Sequence, residues 1–217
     1  MDKIVSLIDH TNLKPDATET DIKNLCIQAI EYDFFSVCVN PTYVPKALEI
    51  LKSENPKVCT VIGFPLGADS QKIKFIETQT LRDIGAQEFD MVVNIGAIKD
   101  GNYDITKAEI SDVVNAAGGA CVKVIIETCL LTKDEIIKVC NIAKDSGANF
   151  VKTSTGYSHA GATREDVITM KKVVGKKIGV KASGGIKTIV QLKSMLDAGA
   201  NRIGTSAGVS IMNNSRN

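Results

Sequence analysis

Short apolar runs recur along this chain, each followed by a stretch with helical periodicity. That alternation restricts the fold more than any other feature. The runs fall near residues 5–9, 34–40, 58–63, 87–94, 121–127, 148–153, 178–183 and 201–205. Amphipathic stretches lie between them, among them Glu19 to Tyr32, Thr132 to Ser146, Arg164 to Val174 and Ile186 to Ala198, with Asp or Thr near several starts as N-caps. A repeat marks three of the joints: DIGAQEFDMVVN (83–94), DSGANFVKTST (145–155) and DAGANRIGTSA (197–207). Each is an Asp-x-Gly-Ala step whose glycine suits a positive φ just past a helix, with a strand starting two or three residues later. Eight such units in 217 residues leave about 27 residues each, near the lower size limit of a (β/α)₈ barrel. The rival is a doubly wound open sheet, which advertises a glycine-rich loop after its first strand; Asp9-His10-Thr11-Asn12 is nothing like one. The expectation is an α/β chain forming a single (β/α)₈ (TIM) barrel domain over 1–217, with a short N-terminal extension.

Composition removes several function classes. Charge is balanced, with 26 basic and 25 acidic residues, and no basic stripe with interleaved aromatics suggests nucleic acid. The start MDKIVSLIDH lacks a long apolar segment and no run approaches a membrane span, so a cytoplasmic protein with no membrane partner is expected. The six cysteines form no CxxC pair and suit a reducing compartment. Only His10 and His159 are available, which argues against a histidine-rich metal centre and leaves carboxylates for a hard ion such as magnesium.

Strand parity gathers the polar residues. Side chains alternate faces along a strand, so Asp90 shares a face with Val92 and Asn94, and Lys123 with Cys121, Ile125 and Glu127. Lys152 groups with Phe150 and Ser154, and Lys181 with Gly179 and Ser183. Four successive strands would then aim Asp90, Lys123, Lys152 and Lys181 into one barrel. Asp90 and Glu127 could neutralise the lysines as a purely structural ion-pair set, but two carboxylates would have to serve three ammonium groups. Crowding and desolvation both favour the neutral amine. An unperturbed lysine is neutral in only roughly one molecule in 2,500 at pH 7, and lowering its pKa to about 7 makes half of the amines nucleophilic. Such an amine attacks a carbonyl to form an iminium, which makes the adjacent carbon–carbon or carbon–hydrogen bond breakable.

Two glycine-bearing loops point to an anion. Ala182-Ser183-Gly184-Gly185-Ile186 precedes a helix, and Arg202 to Gly208 follows the last strand. Phosphate sites in barrels favour the loops after strands seven and eight. The residues thus suggest amine catalysis on a small phosphorylated carbonyl compound.

LIDHTNLKP, SVCVNP, VIGFPLGA, EFDMVVNIG, VKVIIET, FVKTSTGY, GVKASGGI and RIGTSAG, in order from residue 7 to about residue 208, resemble the deoxyribose-phosphate aldolase family. The resemblance implies a barrel lyase without metal or organic cofactor. It implies reversible cleavage of 2-deoxy-D-ribose 5-phosphate to acetaldehyde and D-glyceraldehyde 3-phosphate in deoxynucleoside catabolism, and a family that is often dimeric. On this resemblance Lys152 is the Schiff-base lysine, while Lys181 and Asp90 move protons. Lys123 and Asp9 are supporting residues, and Cys38 lies near the substrate pocket. Thr155, Gly156, Gly184, Gly185, Gly204 and Ser206 fall among the substrate and phosphate contacts. His159 and His10 are not needed in that set and read as a loop residue and a buried hydrogen-bonding residue.

Two positions depart from the pattern. Tyr157 stands where some members carry a phosphate-reaching lysine, so backbone amides or another side chain would hold the phosphate. The chain ends MNNSRN with no tyrosine after Tyr157, where some members fold a C-terminal tyrosine over the site; slower enolisation, or a water in its place, is expected. Two rivals stand beside the aldolase: another Schiff-base barrel lyase, transaldolase-like or dehydratase-like, and a barrel that only binds sugar phosphates. The second has no use for an activated amine.

Overall fold

The computed structural model describes residues 2–214 of the chain; Ser215 to Asn217, the end of the MNNSRN segment, lie outside them. After a short helix α1 (Asp2–Val5), eight strands follow: β1 (Ile8–Asn12), β2 (Ser36–Val39), β3 (Lys57–Ile62), β4 (Glu88–Val92), β5 (Cys121–Ile125), β6 (Phe150–Lys152), β7 (Gly179–Ser183) and β8 (Arg202–Thr205). All pair in parallel with their sequence neighbours, and β8 closes on β1 through Ile8 opposite Ile203 and His10 opposite Thr205. The (β/α)₈ barrel expected from the alternation is therefore the observed architecture.

Helices α2 (Glu19–Glu31), α3 (Val44–Leu51), α4 (Gln71–Ile84), α5 (Ile95–Lys99), α6 (Tyr103–Ala117), α7 (Lys133–Asp145), α8 (Arg164–Val174), α9 (Ile189–Asp197) and α10 (Gly208–Asn214) connect the strands and end the described chain. Thr18, Thr132 and Thr188 each close a capping box at the start of α2, α7 and α9. The three repeat glycines, Gly85, Gly147 and Gly199, have φ of 121°, 87° and 111°. A β-carbon is disfavoured there, and each lets the chain turn from a helix directly into the next strand.

The first strand lies further along than its apolar run suggested. Residues 2–5 are helical, and the polar sequence Asp9-His10-Thr11-Asn12 is itself strand, paired on both sides. An interior-facing strand here carries polar residues, so apolar content misplaces it. The helix expected from Ile186 starts at Ile189 instead, because the Gly184–Gly185 turn and the Thr188 cap come first.

Parity separates the two faces as expected. Ile8, Val37, Val39, Val58, Ile62, Phe89, Met91, Val122, Val124, Val151, Val180, Ala182 and Ile203 join the helices in one apolar cluster. Asp9, Glu88, Asp90, Lys123, Lys152, Lys181 and Arg202 are buried on the opposite parity. The main hydrophobic core thus lies between sheet and helices, and the barrel interior holds the charged residues beside a small cluster of Leu13, Cys38, Cys59 and Val61. Among the described residues no helix is long and apolar enough to cross a membrane.

Candidate active site

Asp90 is the hub of the barrel interior. Its Oδ2 accepts from Lys152 Nζ at 2.7 Å and from Lys181 Nζ at 2.7 Å, and its Oδ1 accepts from Lys123 Nζ at 2.9 Å. Strand register delivers the partners: Asp90 lies opposite Lys123, and Lys152 opposite Lys181. Lys123 also meets Glu88 Oε2 at 2.6 Å, and Lys181 meets Asp9 Oδ2 at 2.5 Å. Below them Arg202 Nη1 binds Asp9 Oδ1 at 2.7 Å and Glu88 Oε2 at 3.2 Å, with its guanidinium over the Phe35 ring. Ser36 donates to Asp9 Oδ1 at 2.7 Å.

Four cations (Lys123, Lys152, Lys181, Arg202) therefore face three carboxylates (Asp9, Glu88, Asp90), one positive charge in excess. For Asp9, Asp90, Lys123, Lys181 and Arg202 burial works against the charge, and the partners outweigh it. Burial pushes the Asp90 carboxyl up, yet Lys123, Lys152 and Lys181 hold it well below the usual range. Asp9 is lowered in the same way by Lys181, Lys123 and Arg202. Despite burial, Asp90 holds Lys123 well above an ordinary lysine, and Asp9 with Asp90 does the same for Lys181. Two of the lysines are thus fixed charges.

Glu127 does not join this set, contrary to the parity expectation. The strand ends at Ile125, and Glu127 turns aside with φ 52° to bind Thr155. Asp9, Glu88 and Arg202 supply the rest of the balance. Glu88 was legible from its parity with Asp90, and Arg202 from its parity with Gly204; both signals lie in the sequence.

A cavity of about 630 Å³ opens above the cluster at the C-terminal ends of the strands. Of the four clustered cations Lys152 alone lines it, with 3% of its side chain exposed. Thr155, Gly156, Gly184, Gly185, Gly204 and Ser206 also line it. Gly184 and Gly185 adopt φ of 86° and 78°, and a β-carbon on Gly184 would sit 2.9 Å from Gly161 Cα, so this turn requires glycine. Lys14 and Lys187, not anticipated, add cationic side chains to the lining where Tyr157 offers none. The Tyr157 hydroxyl donates to the Leu13 carbonyl at 2.5 Å and its ring meets Phe64 edge-on.

Cys38 packs near the cavity, as the resemblance implies, but does not line it. It is fully buried with Leu13, Cys59 and Val61 under Phe64. His159 is exposed and off the cavity, while buried His10 lines it with Nε2 2.8 Å from Gln28 Oε1. Among the described residues Cys38, Cys59 and Asp90 form the one trio with metal-ligand spacing, their atoms within 4.8 Å of one another. The Asp90 oxygens in that trio already serve three ammonium groups, so the donor set suits a cation poorly.

The arrangement offers one amine to a cavity, backed by an acid–base network and rimmed by glycine turns. Known proteins resemble the chain over its whole length. Residues 3–215 match the model of the DeoC/LacD family aldolase. The deoxyribose-phosphate aldolase of Thermococcus gammatolerans is 56% identical over 99% of this chain and 97% of its own. That of Clostridium tetani is 54% identical over 99% and 100%. The tetrameric deoxyribose phosphate aldolase of Aeropyrum pernix superposes with a TM-score of 0.93 at 34% identity, covering 100% of this chain and 92% of that one. With matches of this extent, the chain belongs to the DeoC/LacD family of aldolases.

Proposed function

We propose that this protein is a deoxyribose-phosphate aldolase, a lyase that reversibly cleaves 2-deoxy-D-ribose 5-phosphate through a Schiff base on Lys152. The observation that carries the assignment of Lys152 is its place: of the clustered cations it alone lines the cavity, beside a surplus of positive charge. Loss of one proton from the cluster leaves three cations against three carboxylates, and Lys123 and Lys181 are held protonated by their partners. Arginine stays charged at any ordinary pH. Lys152 is the lysine of the cluster that lines the cavity, where a carbonyl carbon can reach its Nζ.

The steps follow from that placement. Neutral Lys152 adds to C1 of the open-chain sugar, and loss of water from the carbinolamine gives the iminium. Removal of the proton from the C3 hydroxyl breaks the C2–C3 bond, with the electron pair passing to the iminium as an enamine. D-Glyceraldehyde 3-phosphate leaves. Protonation at C2 and hydrolysis then release acetaldehyde and return Lys152. Asp90 and Lys181, joined to Lys152 through one shared oxygen, move these protons with water, while Lys123 and Asp9 hold Asp90 and Lys181 in place. The glycine turns, Ser206, Lys14 and Lys187 receive the phosphate. The same proposal takes the chain as one barrel domain pairing as a homodimer in the cytoplasm.

Incubation with acetaldehyde followed by borohydride reduction, with the adduct mapped by mass spectrometry, tests the mechanism. A reduced two-carbon adduct on Lys152, absent from Lys152→Ala, is expected, with turnover in that variant down by roughly 10⁴-fold or more. Labelling of another lysine, or none, overturns it.

A further inference from the structure

Two non-glycine residues among those described have positive φ, and they differ in setting. Asp33 (φ 54°) is exposed just past α2, an ordinary place for such a residue. Glu127 (φ 52°, ψ 67°) is 3% exposed at the exit of β5; it opens a single 3₁₀ turn over Thr128–Leu130, and no helix precedes it to call for a left-handed residue. Its neighbours keep the β5–β6 pairing going on either side: Ile126 N donates to Lys152 O at 3.0 Å, and Thr128 N to Thr153 O at 2.9 Å. The left-handed step between them swings the Glu127 side chain to Thr155. Thr155 N donates to both carboxylate oxygens at 3.3 Å, and Thr155 Oγ1 donates to Oε2.

The contact is passed on. Thr155 Oγ1 accepts from Tyr157 N at 3.0 Å, and the Tyr157 hydroxyl reaches Leu13 O. Thr155, Gly156, Tyr157 and Leu13 all line the cavity that holds Lys152. Since Thr155 commits its hydroxyl proton to Glu127, it has none to donate to a ligand. Its place in the cavity is that of a wall, and the buried carboxylate behind it sets where that wall stands.

We propose that Glu127 is a positioning residue for the aldolase: the left-handed backbone at 127 aims its carboxylate at Thr155 and fixes the turn after Lys152 as the cavity wall that orients the phosphorylated part of the substrate. This rests on the assignment of Lys152 as the reacting amine. Glu127 touches no reacting atom and acts through Thr155.

Glu127→Gly separates backbone from side chain, because glycine adopts this φ freely and only the carboxylate is lost. The expected result is a folded protein whose melting temperature falls by no more than roughly 5–10 °C, with acetaldehyde trapping on Lys152 at the wild-type rate. KM for deoxyribose 5-phosphate rises about tenfold or more, with kcat within about threefold. Glu127→Gln retains the acceptor for Thr155 N but presents an amide N–H to Thr155 Oγ1, and falls between; it carries the test should the glycine variant melt early. A wild-type KM in both variants, or a loss confined to kcat, overturns the proposal. Calorimetric affinity for glyceraldehyde 3-phosphate, expected to weaken in proportion to KM, needs no Schiff base. It therefore judges Glu127 even where trapping at Lys152 fails.

Discussion

Two buried lysine sites in this molecule invite comparison. Between α4 and α6, Lys74 Nζ meets Glu109 Oε2 at 2.6 Å and the Val92 carbonyl at 2.8 Å, while Glu109 Oε1 accepts from Asn94 N at 2.6 Å. One cation meets one anion, both Glu109 carboxylate oxygens are used, and the pair ties two helices to the end of β4. In the barrel, four cations share three carboxylates and Lys152 opens on a cavity. Both sites are equally dry. Burial of a lysine is therefore not what makes a reactive site; a surplus charge and an exit for it are.

The comparison breaks most visibly if each site loses its lysine. Lys74→Met leaves Glu109 buried without its cation, and removing one partner of such a pair costs about 3–5 kcal/mol. A urea-melt loss of that size at pH 7 is expected, with kcat of the folded protein within about twofold because Lys74 neither lines the cavity nor touches the charged cluster. Burial already raises the Glu109 pKa above its ordinary value, against the pull of Lys74. Protonation should therefore relieve part of the loss as pH falls, and adding Glu109→Leu should recover most of it. Lys152→Ala should do the reverse, leaving stability near wild type and turnover lost. Equal destabilisation by both variants would erase the distinction.

The sequence discloses the two sites unequally, for physical reasons. Strand period of 2 makes the shared face of Lys123, Lys152 and Lys181 legible, and the Asp-x-Gly-Ala repeat makes the helix-to-strand joints legible. Lys74 and Glu109 lie 35 residues apart on separate helices, and no local pattern pairs them. Glu88 and Arg202 were readable by parity, yet each stands at the start of its strand, where it passes for a loop residue. Glu127 is misplaced by the same parity rule, since one left-handed residue ends the alternation. Most of the polar strand β1 lies past the apolar run near 5–9, so an apolar search catches only its first two residues.

A subtler change sharpens the role of the surplus charge. Lys181→Leu removes one fixed cation, so the remaining Lys123, Lys152 and Arg202 balance Asp9, Glu88 and Asp90 with Lys152 still protonated. The proton on Lys152 then has no excess charge driving it off. Turnover at pH 7 should fall by about 10²–10³-fold, and the acid limb of the pH–rate profile should move to higher pH. A uniform fall with an unmoved profile would show that Lys181 only transfers protons and does not set the charge of its neighbour.

The smallest effect is in acid stability, where the two sites have opposite signs. Asp9 and Asp90 are held below their ordinary value of 3.8. Their contribution is complete above that pH and is lost as pH falls towards the folded-state values. Glu109 is raised above its ordinary 4.5, so its linkage is fully favourable below that pH and fades as pH rises through its folded-state value. The Glu109 contribution should therefore grow on moving from neutral towards pH 5, while buried His10, its imidazole held below the ordinary 6.5 by burial, works the other way over that range; below about pH 4 stability should fall as Asp9 and Asp90 take up protons. Lys181→Leu weakens the pull on Asp9 and Asp90, so its loss between pH 5 and pH 3 should be smaller than that of the wild type by about 1–2 kcal/mol. Urea midpoints across that range measure the difference. An identical acid decline in both proteins would mean that Lys123 and Arg202 alone keep these carboxylates ionised, and that the pull of Lys181 on them is redundant.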